Sequence, residues 1–363
     1  MTGQQEQIVD NASGELPGID LAKVQLWLGE QVAGMQPPLH FGLIGAGGSN
    51  LTYRVTDANG ALYILRRPPV GSLLPSAHNL AREHRIMSAL GPSAVPVPAM
   101  AALCEDESVI GAEFYVMEYV DGLILRDAEA GAALAEADAR RASLSFVEAL
   151  AAIHTLEPAE VGLHTLSKPD GYVTRQLRRW FTQYEHTAVG APDPQIVDLH
   201  ARLAANLPDE APSRTARLTH GDYHIDNVVF DKGFQVCAVL DWELCTLGDP
   251  LADLAWALMF WTTSPDEFSM MVSAPTVAPG FISRSEFTER YAAASKLDLT
   301  DLPYFLCLSH WKLACLVQGA VYRASLGQGG GMQAAGQSTE SEALARIRQL
   351  VQAAGELADA AGI

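Results

Sequence analysis

Apolar residues recur at helical spacing over residues 19–32, with Asp20 placed to cap the first turn. The pattern then changes. Over residues 41–55 apolar and polar positions alternate, interrupted by Gly45-Ala46-Gly47-Gly48. Residues 61–66 read as a partner strand entered through the hairpin signal Asn59-Gly60. A helix over 75–90 and a strand over 114–119 complete a strand-rich N-terminal part, and the turn pair Asp121-Gly122 marks a hinge after it. Beyond that point the period is mainly helical, with helices expected over 132–156, 170–185 and 195–206. Another starts at Asp249-Pro250, an N-cap followed by proline at the first helical position, and runs to about residue 261; two more cover 285–297 and 303–326. Residues 218–243 interrupt the helices as two short strands joined by turns. Residues 264–280 read as a loop, and 327–336 as a glycine-rich break before a last helix. No internal repeat is visible.

Composition narrows the classes. The 363 residues suffice for one large or two medium domains with ample core. No apolar run is long enough to cross a bilayer, and the first eleven residues form no hydrophobic signal segment, so a cytoplasmic location with no membrane partner is expected. A formal charge of −19 argues against a nucleic-acid partner, whose phosphates need a basic face. It permits a cationic small molecule without demanding one. The five cysteines (Cys104, Cys237, Cys245, Cys307, Cys315) are never spaced Cys-x-x-Cys and read as thiols, not disulfides or zinc ligands. The sequence does not set the oligomeric state.

The chemistry concentrates in Leu218-Thr-His-Gly-Asp-Tyr-His-Ile-Asp-Asn-Val-Val-Phe230 and Val239-Leu-Asp-Trp-Glu243. Asp222, Asn227 and Asp241 stand at short spacings between β-rich apolar runs. Phosphoryl transfer needs such a set: one carboxylate to take the proton of an attacking hydroxyl, then an amide oxygen and a second carboxylate to hold Mg2+ on the nucleotide phosphates. The order, and the five-residue step from Asp222 to Asn227, agree with the protein-kinase signature. Taken alone, Asp222 and Asn227 could be turn residues; a carboxylate such as Asp241 at the end of an apolar run is costly to bury without a partner.

These residues, with Gly248-Asp-Pro-Leu-Ala-Asp-Leu-Ala255, resemble the aminoglycoside phosphotransferase family, and within it the branch that also occurs fused to acyl-CoA dehydrogenases. The likeness runs from about Phe41 to about Arg323. It implies an α+β, two-lobed, protein-kinase-like fold: a small strand-rich N-lobe for nucleotide over 41–120, a mainly helical C-lobe over 121–363, and an N-terminal helical extension over 1–40. It implies ATP and Mg2+ as cofactors, Asp222 as base, and Asn227 and Asp241 as metal ligands. Gly45, Gly47, Gly48 and Ser49 would cover the phosphates, since backbone N–H groups approach phosphate where side chains are absent. A strand follows these glycines where a dinucleotide-binding fold would have a helix.

Arg66 occupies the position where kinases carry a lysine, with Glu83 as its partner, although the neighbouring Arg67 leaves the register open. The family likeness places the adenine edge against residues 117–120, including Glu118 and Val120, and gives His220 a supporting role. Asp249 and Asp253 read as helix-start residues. On the helix over 170–185, Arg175 and Arg179 share a face, which suits either an anionic substrate or a solvated surface. The implied reaction is transfer to a hydroxyl of a small molecule: a hydroxylated acyl compound, or an aminoglycoside 3'-type acceptor. Arg66 in the lysine position leaves a nucleotide-binding pseudokinase as the alternative. Trp242-Glu243 after Asp241, and the lack of an Ala-Pro-Glu segment, count against a protein kinase.

Overall fold

The computed structural model describes residues 9–10, 16–46, 50–71, 79–168, 171–188, 191–209, 217–263, 273–326 and 339–363. Its chain divides into two compact units. One runs to Asp121 and also includes Leu240–Glu243; the other comprises Gly122–Val239 and Leu244–Ile363.

The first unit is a six-stranded antiparallel sheet with two helices. Its strands are β1 (Val9–Asp10), β2 (His40–Ala46), β3 (Leu51–Thr56), β4 (Leu62–Arg67), β5 (Met100–Cys104) and β6 (Phe114–Glu118), in the order β1-β2-β3-β4-β6-β5. The alternation seen in the sequence is real on β3, where Leu51, Tyr53 and Val55 are buried and the residues between them are half-buried. At the β3–β4 turn, Asp57 Oδ1 accepts from the Asn59 and Ala61 amides, and Gly60 takes the positive φ of 84° that the hairpin needs. Helix α1 (Leu21–Gln31) is capped by Asp20, which accepts from the Lys23 amide. Its Val24 and Leu28 share one core with Phe41, Tyr53 and Val116, so this helix is part of the first unit and not an appendage. Helix α2 (Leu80–Leu90) begins at the Asn79 cap; residues 75–78, the first part of the expected helix, lie outside the described residues. Strand β5 had no period of its own in the sequence.

The second unit is mainly helical: α3 (Ala128–Ala132), α4 (Glu136–Thr155), α5 (Tyr172–Thr187), α6 (Pro194–Ala205), α7 (Pro250–Phe260), α8 (Arg284–Ser295), α9 (Leu302–Ser325) and α10 (Glu340–Ala361). The long helix expected over 132–156 is α4, which starts four residues later than expected; the short α3 before it, capped by Asp127, is an addition to the sequence reading. Of the loop expected over 264–280, residues 264–272 lie outside the described residues; Pro275–Val277 form a 3-10 turn in which Thr276 is buried and donates to the Thr262 carbonyl. The glycine-rich break at 327–336 also lies outside them. Helices α7, α5 and α10 all pack against α9. Two small antiparallel pairs carry the site: β7 (Arg217–Thr219) with β10 (Thr246–Gly248), and β8 (Val228–Phe230) with β9 (Val236–Val239). Their core is aromatic, with Tyr223, Trp261 and Phe287 around Phe146.

Candidate active site

Strand β4 delivers two buried arginines to opposite faces of the first sheet, because successive side chains on a strand alternate. Arg66 faces α2. Its Nη1 donates to Glu83 Oε1 at 2.6 Å and its Nη2 to Asp241 Oδ1 at 3.3 Å. Burial works against this charge, but Tyr115 on the neighbouring strand, Glu83 and Asp241 together raise the guanidinium above its ordinary value, so it stays cationic. Arg67 faces the other way and donates to the carbonyls of Gly18, Ile110 and Pro68. The register left open by the sequence is thereby settled: Arg66 meets Glu83, and Arg67 is a structural clasp.

The segment Leu240–Glu243 is tied to α2 as well as to β4, since Arg82 Nη1 donates to the Glu243 carbonyl at 3.3 Å. Asp241 has φ +65°, a conformation uncommon for a residue with a side chain and a mark of a position under local constraint. Its carboxylate is about one-third exposed.

The loop of the second unit that carries Asp222 lies between β7 and β8. Gly221 has φ +87°, and a Cβ there would stand 2.7 Å from the Leu244 carbonyl oxygen, so only glycine fits this turn. Asp253, near the start of α7, holds the loop from below: Oδ2 accepts from the His220 amide and Oδ1 from the Gly221 amide at 2.9 Å, while His154 Nε2 lies 3.3 Å away. His220 is fully buried, and its Nδ1 accepts from the Asp222 amide at 3.2 Å.

This loop presents the Asp222 carboxylate. Its Oδ1 accepts from the Trp256 indole at 2.9 Å, and its Oδ2 lies 3.4 Å from His224 Nε2. Burial would raise it, but His224, His220 and Lys312 hold it well below the usual carboxylate range. His224 sits between Asp222 and Asp226; although burial opposes its charge, the two carboxylates push it up to about 10. Asn227 Nδ2 donates to the Asp222 carbonyl at 3.0 Å, which commits the amide nitrogen to the loop and leaves the amide oxygen as the acceptor for another group.

Two clusters are thus assembled, each within its own unit: Arg66, Glu83 and Asp241 in the first, Asp222 and Asn227 in the second. Of the expected phosphate loop, Gly45 is the last but one residue of β2, opposite Thr52, whereas Gly47, Gly48 and Ser49 lie outside the described residues. Glu118 is the exposed last residue of β6, and Val120 follows half-buried. A groove of about 780 Å³ on other faces of α7 and α9, by Leu258, Met259, Leu306 and His310, contains none of these residues.

The phosphotransferase enzyme family matches residues 40–294 of this sequence. The chain belongs to that family. Among curated relatives, acyl-CoA dehydrogenase family member 11 is 38% identical in Gallus gallus over 78% of the chain and 37% identical in Homo sapiens over the same share. The chain spans 36% of the length of each. Among solved structures, a Ralstonia eutropha protein named for aminoglycoside phosphotransferases matches 94% of the chain and 98% of its own, at TM-score 0.77 and 30% identity. Aminoglycoside phosphotransferase APH(4)-Ia, solved with AMP-PNP and hygromycin B, matches at TM-score 0.58 and 16% identity, covering 91% of this chain and 98% of its own, which shows the shared fold. The family assignment and the kinase-like α+β fold agree with the sequence reading. No helix among the described residues is long and apolar enough to cross a membrane.

Sequence reasoning missed two residues around the Asp222 loop, Asp253 in its actual role and Trp256, whereas Lys312 lies on the stretch 311–323 that the sequence offers as a pocket wall or as packing. Asp253 was read as a helix-dipole residue. The usable signal was its place in Leu251-Ala-Asp-Leu-Ala-Trp-Ala-Leu258, where a carboxylate in a wholly apolar helix must have partners. Trp256 reaches the loop from 34 residues away, and no spacing announces it.

Proposed function

We propose that this protein is an ATP- and Mg2+-dependent phosphotransferase that transfers the γ-phosphoryl group to a hydroxyl of a small molecule. The observation that carries this reading is Asp222: a carboxylate kept ionised by His224, His220 and Lys312, with one oxygen fixed by an indole N–H, on a loop whose amides Asp253 holds. Such a group accepts the acceptor's proton as transfer proceeds, and no covalent enzyme intermediate is required. Arg66, braced by Glu83, would hold the nucleotide phosphates with the glycine segment Gly45 to Ser49, and the chain at Glu118 and Val120 would meet the adenine. The donors Asn227 and Asp241 are both oxygens, which suits Mg2+, an ion that needs few protein ligands. When bound, Mg2+ would neutralise charge developing on the phosphates.

For the acceptor we favour a hydroxylated acyl compound, because the curated relatives carry this region within acyl-CoA dehydrogenase family members. An aminoglycoside is the second reading, supported by structural neighbours solved with hygromycin B or kanamycin. The test is Mg2+-dependent ATP turnover by the purified protein, beside Asp222→Ala, across hydroxy acids, hydroxyacyl-CoAs and aminoglycosides. Acceptor-stimulated turnover that disappears in the variant supports the reading and names the acceptor. Nucleotide binding without turnover on any of them favours a pseudokinase.

A further inference from the structure

Two cations gather at the Trp180 ring, and one of them, Lys312, acts electrostatically on Asp222. Lys312 Nζ, on α9, lies 4.2 Å from the centre of the Trp256 ring and 5.5 Å from that of Trp180. Arg179 Cζ, on α5, lies 4.9 Å from the Trp180 ring. Cation–π contacts of this kind hold a charge in place without neutralising it. Trp256 is the same indole whose N–H donates to Asp222, and Trp180 is fixed in turn by donating to Gln176 Oε1 at 2.8 Å.

Among the described residues neither Lys312 nor Arg179 hydrogen-bonds or ion-pairs with a carboxylate. Both nearby carboxylates have other partners: Asp253 takes the His220 and Gly221 amides, and Asp222 takes Trp256 and His224. Burial and the Arg179 charge lower the Lys312 ammonium, while Asp222 and Asp253 oppose that. Lys312 also borders a cavity of about 20 Å³ with Gly221, Asp253 and Trp256. In a chain with 24 basic and 43 acidic residues, Arg179 is exposed and open to a solute, and Lys312, with no direct carboxylate contact among the described residues, stands at the same indole.

We propose that Lys312 and Arg179 form an anion-binding subsite that selects acceptors carrying a carboxylate or phosphate group. This rests on the phosphotransferase reading for what the anion does, but not for its binding. A polycationic acceptor would meet like charge here, so the subsite also sets specificity against aminoglycosides.

The test has two arms on the full chain. In the first, tryptophan fluorescence follows titration with inorganic phosphate, acetate and neutral acetamide. The expected result is saturable binding of an anion, at least tenfold tighter than acetamide, weakened at least tenfold in Lys312→Met and Arg179→Gln and largely kept in Lys312→Arg. Which anion binds tighter distinguishes a phosphate from a carboxylate acceptor. Thermal midpoints confirm that each variant folds; if Lys312→Met does not, Arg179→Gln decides. The second arm compares kcat/KM for 3-hydroxybutyrate and its amide, and for glycerol 3-phosphate and glycerol. The charged member is expected to win at least tenfold, and the ratio to fall below threefold in Lys312→Met. Equal binding of acetate and acetamide, or a preference unchanged in the variants, overturns the subsite. Charge-selective, Lys312-dependent binding with no phosphate transfer sinks the phosphotransferase reading and keeps the subsite. Transfer without charge discrimination does the reverse.

Discussion

Glu83 Oε1 lies 2.6 Å from Arg66 Nη1, and both side chains are almost wholly buried. Removing one partner of such a pair strands the other charge in the core. Arg66→Met or Glu83→Leu is expected to cost about 3–5 kcal/mol, while the double variant costs less than the sum because no charge is left alone. Urea denaturation of the four proteins measures this. Additive costs would show that the two residues do not act as a pair.

Arg66→Lys keeps the charge but gives up the fork that reaches Glu83 and Asp241 together. On the proposed function its KM for ATP rises and kcat falls, each by about tenfold on the scale of one lost charge-assisted hydrogen bond. Unchanged steady-state constants would remove Arg66 from the phosphate site.

Asp222→Asn keeps an oxygen for the Trp256 indole but cannot take a proton. Loss of a positioned general base costs about 100- to 10,000-fold in kcat, with ATP binding retained. Because Asp222 is held below the usual carboxylate range, kcat in the wild type is expected to stay flat from pH 7 down to pH 5. An acid limb centred between pH 6 and 7 would point to another base.

Much of this was legible in the sequence, and the reasons are local. The turn at Asn59-Gly60, the caps at Asp20 and Asp249, and the spacing of Asp222 to Asn227 are all set by residues within one turn or hairpin of each other. The Arg66 and Arg67 register was not, because both were candidates until the sheet assigned them opposite faces. Asp253 and Trp256 were hidden for a different reason. Their partners are amides and a carboxylate brought up by other elements, and a helix pattern records only which face is apolar.

His224 offers a signature in stability. Its folded value is raised, to about 10, from an ordinary value of 6.5. A raised group stabilises fully below its unfolded value, and the contribution is lost as pH climbs from about 6.5 through 10. The urea midpoint of the wild type is therefore expected to fall relative to His224→Gln between pH 7 and pH 10. Parallel profiles would mean that the imidazole is not the cation between Asp222 and Asp226.

Asp253→Asn leaves His220 and Gly221 facing an amide instead of a carboxylate. Hydrogen bonds to a charged group contribute about 1.5–3 kcal/mol, so a loss of that size in stability is expected, with a fall in kcat. Wild-type turnover in this variant would show that the loop keeps its shape without the buried charge.

The partner that Arg66 finds in Asp241 lies 175 residues further along the chain. Domains generally fold in the order in which the ribosome delivers them. Here the unit delivered first is finished late: its sheet and helices can assemble once Asp121 has emerged, but its Leu240–Glu243 strip must wait for nearly all of β7 to β9 to be made. A nascent chain stalled before Asp241 would carry Arg66 against Glu83 without its second carboxylate, and a gene cut after Asp121 would encode a first third that can never close its own ion cluster.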